Sequence, residues 1–546
     1  MTQHLIPART VDASTDLDAS RELLSRRGLS RTAAAGLAAV AVPLIAVESA
    51  EAGWGPQHAK QCQHWHRCKK HPKHTCRHKH RCKHLHHKSR AKTETPTPTA
   101  QPTAPPTPTQ APTPTAQPMP TPTPTSPPTS PPTGPQIDPD FVASALPTAW
   151  SLHLGNRFSY GVTPGLHQAM RTAGSPDRWF ELQLNPASVP DAATDAMQSW
   201  WTSIDADHTT IWQRDQDGIE GGWSAMANYA RWCLLRRISS DRQVLEVMTE
   251  FWENHLHVPV HDDGVFTYRA AYGKLLRSHA LGRFDQMLVA AITHPAMGIS
   301  LDNASSTKRA PNENLGRELL ELHTVGRGNY TEDDVKSSAR ILTGYRVDAW
   351  RTWNSYYDTA SHWTGPVQVM GFAHPNTSTD GRPVAEAYLT YLAHHPQTAA
   401  RIARKLAVRF VSDRPSELLI AHLAEVYLAS GTAIDPVLRA LIAHPEFRAA
   451  AGLKVRTPTD DVVATYRALG AQVLRPTGGS SAANAIVHQA DAIGQSPFVW
   501  GRPDGQPQDN RSWSSATRVL ASFQFHHQAA GRWWPTQDVV YRDPIS

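Results

Sequence analysis

Acidic and amide side chains are concentrated between positions 302 and 321, at spacings that suit chemistry on a polar ligand. In a helix, Glu313, Arg317 and Glu321 would share one strip. Two carboxylates there could act as acid and base on a glycosidic or ester bond. The same strip is also typical of a solvated face with Glu–Arg pairs. The catalytic candidates are Asp302, Glu313, Arg317, Glu318 and Glu321, and the binding candidates beside them are Asn303, Asn312 and Asn314.

A divalent metal is the cofactor that this polar cluster could hold. Oxygen ligands from Asp302, Glu313 and Glu318 are of the type that Ca²⁺ or Mg²⁺ prefers. His255 is a further binding candidate, because Glu253 and His257 stand four residues apart in the same helix-like segment. That spacing fits a metal pair, and it fits ordinary surface polar residues equally.

A second kind of chemistry is indicated by a C-x-H-x-H-R-C-K unit that occurs twice between positions 62 and 83. Closely spaced thiolates and imidazoles ligate Zn²⁺ or Cu, whereas four cysteines in an exported chain equally indicate two disulfides. The metal-ligand candidates, as an alternative to two disulfides, are Cys62, His64, His66, Cys68, Cys76, His78, His80 and Cys82. The fifth cysteine, Cys233, lies in an apolar stretch and is predicted to be a buried free thiol.

Aromatic residues crowd a loop-like stretch around positions 350–363. Exposed rings would suit stacking on sugar rings, whereas buried rings would anchor the long loop. The binding candidates in this stretch are Trp350, Trp353 and Trp363.

The N-terminus resembles a twin-arginine export signal. Ser25-Arg26-Arg27-Gly28-Leu29 precedes the apolar run Ala33–Val47, and Ala50-Glu51-Ala52 has the small-x-small pattern of a cleavage site. The alternatives are an uncleaved anchor and a secretory signal that does not need the arginine pair. The run is short and rich in Ala for a membrane span, which takes about 20 apolar residues. We therefore expect an exported protein whose mature chain begins near Gly53 and has no transmembrane span.

Composition divides the chain into four parts: the signal (1–52), a Cys/His/Lys-rich basic segment (53–92), a Pro/Thr-rich linker (93–139) and a globular domain (140–546). Twelve Lys or Arg residues and no acidic residue lie between Trp54 and Thr93, so the net charge of +6 describes the basic segment. That segment should adhere to an anionic cell-wall polymer or glycan. The charge gives no sign that the main domain binds nucleic acid.

The globular part reads as successive helices, so the predicted fold class is mainly α. We expect this multi-helical domain to follow a disordered signal, basic segment and linker. Asn312 is expected to cap a helix that runs to about Thr324. Thr331 with Asp334 forms a capping box, and Ser416 is a further cap. Asp435-Pro436 is predicted as an N-cap followed by an N1 proline.

A His-Pro pair occurs three times after an apolar helical stretch: His294-Pro295, His395-Pro396 and His444-Pro445. Proline disfavours helix at the residue before it, and a protonated histidine is favourable at a helix C-terminus. Each pair is therefore predicted to close a helix. A shared ligand role for the three histidines is the alternative.

Ordered motifs extend from about Ser151 to Pro507. Those that carry a resemblance are Phe251-Trp252-Glu253-Asn254-His255, His294-Pro295-Ala296-Met297, Leu301-Asp302-Asn303, Pro311-Asn312-Glu313-Asn314, Arg317-Glu318, Tyr330-Thr331-Glu332, Leu342-Thr343-Gly344 and Lys405-Leu406. Together they resemble the bacterial family catalogued as domain of unknown function 1800. The resemblance implies a mostly helical, usually exported protein without an established reaction. In the family's "HDxGxKxxLG" element this chain has Trp363 for Asp and Val367 for Lys, which puts any chemistry of that element in doubt here.

Two functions follow from these patterns. The first is an exported binding or scaffold protein of the cell envelope. The second is an exported hydrolase that acts on an envelope or extracellular polymer through the cluster at positions 302–321. The hydrolase requires at least two of the cluster's carboxylates to converge in a concave, partly buried site.

Overall fold

A computed structural model of the chain describes residues 62–67, 75–80 and 134–542. The export signal and residues 93–133 of the Pro/Thr-rich linker lie outside the described residues. Two units are divided between Pro122 and Thr123. In the first, strands β1 (Cys62–Arg67) and β2 (Thr75–His80) pair antiparallel, a pairing that the sequence patterns did not predict.

The second unit confirms the prediction of a mainly α fold. Its described residues form 22 α-helices. They are α1 Pro139–Ala143, α2 Ala149–Phe158, α3 Pro164–Ala173, α4 Pro176–Gln183, α5 Ala192–Ala196, α6 His208–Gln216, α7 Gly222–Ser239, α8 Gln243–His255, α9 Arg269–His279, α10 Phe284–Ile292, α11 Pro295–Ser300, α12 Glu313–Glu318, α13 Glu332–Ile341, α14 Arg382–Ala393, α15 Pro396–Phe410, α16 Glu417–Ala429, α17 Ile434–Ala443, α18 Pro445–Ala449, α19 Pro458–Ala468, α20 Ala482–Ala492, α21 Asn510–Trp513 and α22 Ala516–Ala530. Among the described residues, none of the helices has both the length and the apolar composition needed to cross a membrane.

Short strands of the helical unit pair in three antiparallel ribbons. They are β3 Tyr345–Val347 with β4 Ser355–Tyr357, β5 Val367–Val369 with β6 Phe372–His374, and β7 Gln472–Val473 with β8 Val539–Val540. In the β3–β4 ribbon, Arg346 lies opposite Tyr356. This ribbon and the start of α14 form part of the wall of the cavity described below.

Aromatic rings join the helices of the core. The Phe158 ring of α2 stacks on Phe410 of α15 at 4.5 Å, and the Trp252 ring of α8 stacks on Phe284 of α10 at 5.3 Å. Such contacts between buried rings stabilise helix packing beyond the burial of apolar area alone. Cys233 is a free and buried thiol, as predicted.

Several predicted helix starts are confirmed. The Thr331 hydroxyl accepts from the Asp334 amide and the Asp334 carboxylate accepts from the Thr331 amide, which completes the capping box. Ser416 caps α16 by accepting from Leu419 N. The predicted N-cap at Asp435 is wrong, because Ala433 is the N-cap and α17 begins at Ile434, two residues before Pro436. Ile434 N donates to Gly282 O at 3.0 Å, so a contact with a distant segment sets this start.

The helix capped by Asn312 changes its geometry after Glu318. Asn312 accepts from Asn314 N as predicted, but Leu319–His323 is a π-helical turn. Within this wider turn, Leu320 is fully buried while Leu322 keeps partial exposure. The turn moves Glu321 away from Arg317, so the predicted Arg317–Glu321 pair does not form. Single π turns of this kind are frequent at functional sites.

The three His-Pro pairs begin helices. His294, His395 and His444 are the N-caps of α11, α15 and α18, each followed by proline at the first helical position. In each case Nδ1 accepts a hydrogen bond from the amide two residues on, at 3.2 Å. The preceding helices α10, α14 and α17 end at Ile292, Ala393 and Ala443, so the predicted helix ends are confirmed. The role predicted for the histidine rings is wrong, because Nδ1 accepts from the next helix and can do so only when it carries no proton.

We predict that His395→Ala lowers the free energy of unfolding by about 1 kcal/mol at pH 8, the usual cost of losing an N-cap. His395→Asn retains an acceptor and should stay close to the natural chain. Burial lowers the pKa of His395, so the cap is present above the unfolded-state pKa and is lost as pH falls through the folded one. The natural chain and His395→Ala should therefore converge at acid pH in denaturant unfolding. Equal destabilisation by Ala and Asn would contradict the cap.

Candidate functional site

A cleft of about 230 Å³ lies between α11 and the β3–β4 ribbon. Its lining includes the predicted binding residue Asn303, together with His294, Arg346 and three tyrosines, Tyr345, Tyr356 and Tyr357. The volume suits a ligand of monosaccharide size, since drug-sized ligands occupy larger pockets.

Hydrogen bonds between side chains and the backbone hold the loop between α11 and α12 beside this cleft. Arg346 Nη1 donates to Ser305 O at 3.2 Å and to Ser306 O at 3.3 Å. Asn312 N donates to Ser306 Oγ at 3.0 Å, and Asn312 Nδ2 donates to Asp302 O at 3.4 Å. The amide residues predicted from the sequence therefore shape this loop, and Asn303 is the one that reaches the cleft lining.

Two polar atoms of the lining residues have no hydrogen-bond partner in the part of the protein that the structure describes. Asn303 Nδ2 donates to Leu342 O at 3.0 Å, but its Oδ1 accepts no hydrogen bond although the residue is only 2% exposed. Arg346 Nε is likewise buried without an acceptor. Because an unsatisfied buried polar atom costs about 1–3 kcal/mol, such atoms indicate a place where water or a ligand completes the hydrogen bonding.

The cleft has a positive character. Arg346 forms no ion pair with a described carboxylate, whereas Arg382, also in the lining, is held by Asp380 at 2.7 Å. His294 uses Nδ1 for its cap, so the proton of its neutral ring is on Nε2, which can donate. Burial, helped by Arg269, lowers the pKa of His294 to about 4 and keeps this ring neutral at neutral pH.

The predicted carboxylates separate into different surroundings. Asp302 is exposed, in the left-handed backbone region with a φ of 61°. Glu313 lies 3.5 Å from Arg317, which is one of the predicted pairs, while Arg317 is bound more closely by Glu332 at 2.7 Å. Among the described residues, no group of three or more His, Cys, Asp or Glu side chains could hold a metal ion. The divalent-metal interpretation thus has no support in the helical unit.

Glu318 and Glu321 come together on the π turn. Glu321 accepts from Tyr330 Oη at 2.6 Å and lies 3.1 Å from Arg327 Nε. Burial, and then the neighbouring Glu321 carboxylate, raise the pKa of Glu318. Both side chains are partly buried, so two of the predicted catalytic carboxylates meet and the other two do not.

His255 also contacts the π turn. It is hydrogen-bonded to Lys405, a residue that the sequence analysis did not select as a candidate. His255 Nε2 donates to His323 O at 3.1 Å, and His323 Nδ1 donates to His255 O at 3.0 Å. The Lys405 ammonium group or amine donates to His255 Nδ1 at 2.8 Å. The motif Lys405-Leu406 was the one signal in the sequence that pointed to Lys405. A single sequence shows neither the burial of this lysine nor its partner 150 positions away.

Glu253 and His257, on either side of His255 in the sequence, are buried, so their interpretation as surface polar residues is wrong. Glu253 binds Arg269 at 3.1 Å and Tyr229 Oη at 2.5 Å. His257 Nε2 donates to Trp500 O at 2.8 Å, and burial lowers the pKa of His257 to about 4. The Glu253 carboxylate and the His257 ring therefore bind different groups of the protein, and among the described residues neither belongs to a group of three or more side chains that could hold a metal ion.

The three predicted tryptophans differ in exposure. Trp353 is fully buried, with its ring 5.8 Å from Trp212 and 4.9 Å from Trp350, so it anchors the loop and has no free face. Trp350 is 57% exposed. Trp363 is partly buried beneath the Arg340 guanidinium, 4.8 Å from its ring. Among these three, Trp350 keeps an exposed ring of the kind that stacking on a sugar needs.

The Cys/His unit is described only along its two strands. The register places Cys62 opposite His80 and His66 opposite Cys76. Cys68 and Cys82 lie outside the described residues. The choice between two disulfides and a metal site stays a prediction.

Comparison with known proteins supports the family resemblance that the motifs on α8, α12 and α15 carry. No curated protein and no solved structure shows a significant match to the chain. A family model described as "Protein of unknown function (DUF1800)" matches residues 153–543, which is most of the chain. The chain therefore belongs to this family of proteins of unknown function.

Proposed function

We propose that the chain is an exported binding protein of the cell envelope and that its helical unit binds an acidic sugar unit in the cleft beside Asn303. The observation that carries this proposal is the pair of buried, unpartnered polar atoms, Asn303 Oδ1 and Arg346 Nε, in the lining of one cleft. One atom accepts and the other donates, which matches the mixed hydroxyl and carboxylate chemistry of an acidic sugar.

The aromatic and cationic lining supports this ligand class. Tyr356 is 51% exposed, so its ring is available to the apolar face of a sugar. Arg346 makes no ion pair with a described carboxylate, although it lies near Asp358, whose pKa is lowered first by Ser361 and also by Arg346; it would supply the positive charge for an acidic group. The N-terminal sequence supports the envelope location, with the basic segment 53–92 holding an anionic wall polymer or glycan and the Pro/Thr-rich linker as a spacer.

We expect the mature protein to bind D-glucuronate more tightly than D-glucose, measured by isothermal titration calorimetry. Arg346→Met should weaken glucuronate binding about tenfold or more, because a hydrogen bond to a charged group contributes about 1.5–3 kcal/mol. Tyr356→Ala should weaken binding of both sugars.

Arg351→Met is the matched control, since Arg351 is an exposed arginine near the same ribbon, paired only loosely with Asp348 at 3.7 Å. It should leave the glucuronate affinity unchanged. Equal affinity for the two sugars, or equal loss in the Arg346 and Arg351 variants, would exclude an acidic-sugar site in this cleft.

The export proposal is tested by changing both arginines of the signal, Arg26→Lys with Arg27→Lys. In a bacterial host the natural chain should leave the cytoplasm and begin near Gly53, as read by cell fractionation and N-terminal sequencing. The double variant should stay in the cytoplasm at full length, whereas Arg21→Lys should be exported normally. Normal processing of the double variant would count against twin-arginine export.

A hydrolase acting on an envelope or extracellular polymer is the second candidate. The observation that favours it is the partly buried Glu318, whose pKa is raised, next to the ion-paired Glu321. A carboxylic acid beside a carboxylate is the arrangement that glycosidic hydrolysis uses.

For this candidate we expect purified protein to release reducing ends from isolated cell-wall polymer, and Glu318→Gln to abolish the release. Glu417→Gln is the control, because Glu417 is exposed on α16 and pairs with Arg404 at 2.7 Å. Release that survives Glu318→Gln, or no release by the natural chain, would remove this candidate.

A further inference from the structure

The amine of Lys405 occupies an unusual position in the helical unit. It lies on α15 where three other segments meet: the end of α8 with His255, the π turn with His323, and the loop with Asp504. The binding proposal uses none of these groups.

Lys405 lacks the carboxylate partner that most other lysines of this unit have. Its side-chain amine makes one hydrogen bond, to His255 Nδ1 at 2.8 Å. Three of the other four lysines in residues 134–542 pair with aspartate at 2.6–2.9 Å: Lys274 with Asp205, Lys336 with Asp333 and Lys454 with Asp413. The fourth, Lys308, is exposed.

The partner of Lys405 is fixed as a neutral acceptor. His255 donates Nε2–H to His323 O, so its Nδ1 presents a lone pair to the lysine. Both histidines are buried, and burial lowers the pKa of His323 to about 3 and that of His255 well below its ordinary value. Neither ring supplies the negative charge that would hold an ammonium group.

The surroundings therefore favour the neutral amine. Burial, and then the Arg401 guanidinium, lower the pKa of Lys405 to about 7, while Asp504 acts in the opposite direction. A neutral lysine amine is nucleophilic, and this is how enzymes prepare lysines for reaction with carbonyl groups. Lys405 as a whole residue keeps partial exposure, although its amine is buried.

We propose that Lys405 is a nucleophilic amine that forms an imine with a small aldehyde or ketone, held ready by its hydrogen bond to His255. The site is distinct from the acidic-sugar cleft, and the proposal does not depend on sugar binding there.

The step balances without a further reactant. The Nζ lone pair forms the C–N bond while the carbonyl π electrons move to oxygen. One proton of Nζ is transferred to that oxygen, which gives a carbinolamine. The nitrogen lone pair then forms the C=N bond, the C–O bond breaks, and the hydroxyl leaves with the remaining Nζ proton as water. No net oxidation or reduction occurs.

The test is site-resolved trapping with acetaldehyde and sodium borohydride on the purified mature protein, read by peptide mass spectrometry. Borohydride delivers hydride to the imine carbon and leaves a stable secondary amine. At pH 7 the modified fraction of Lys405 should exceed that of Lys308 and Lys336 at least about tenfold, since a lysine amine in water has a pKa near 10.4 and the hydrogen bond to Asp333 raises the pKa of Lys336. At pH 10 the difference should largely disappear.

Two neighbouring arginines supply matched variants. Arg401→Gln removes a cation that disfavours the ammonium form, so trapping at Lys405 should shift to higher pH. Arg404→Gln, on the exposed side of the same helix and paired with Glu417, should leave the pH profile unchanged. No adduct at Lys405, or a pH profile that follows Lys308, would overturn the proposal.

Discussion

The polar segment 253–257, which is the end of α8 and the two residues after it, is the constraint on which the rest of the site depends. Asn254 exchanges hydrogen bonds of 2.9 and 2.6 Å with the backbone of Gln506, while Glu253 and His255 reach other helices. The approach is so close that a Cβ on Gly505 would lie 2.0 Å from Asn254 O. Glycine at this position, with a φ of 74°, allows the loop to seat against α8. This fixed junction in turn positions His255 for Lys405.

The two proposed sites share one property, because each contains a buried polar group without a charged partner. A buried charge is strongly unfavourable unless it is paired, so an unpaired group loses its charge or requires a ligand. Lys405 follows the first route, because its neighbour is a neutral imidazole. Arg346, whose Nε is buried without an acceptor, follows the second route, together with the Asn303 oxygen. The same physical rule therefore yields a reactive amine in one place and a ligand cleft in another.

Local signals explain which features were predictable. The capping box at Thr331 and the buried thiol of Cys233 depend on residues close in sequence, and both were correctly predicted. The π turn was missed because its effect is a small change of period within a good apolar pattern. The cleft was missed because Asn303 and Arg346 meet only through the packing of α11 on the β3–β4 ribbon. His395 was assigned to a helix end because a neutral capping ring and a protonated terminal ring have the same sequence pattern.

The most direct test of this principle is an NMR titration of Lys405 in the mature protein, with the lysine side chains labelled with ¹³C at Cε. Lys405→Met assigns the signal. We expect Lys405 to titrate with a pKa of about 7, well below Lys336, whose pKa is raised by its hydrogen bond to Asp333. Titration near 10.4, the ordinary value, would show that the amine stays charged and would contradict the central claim.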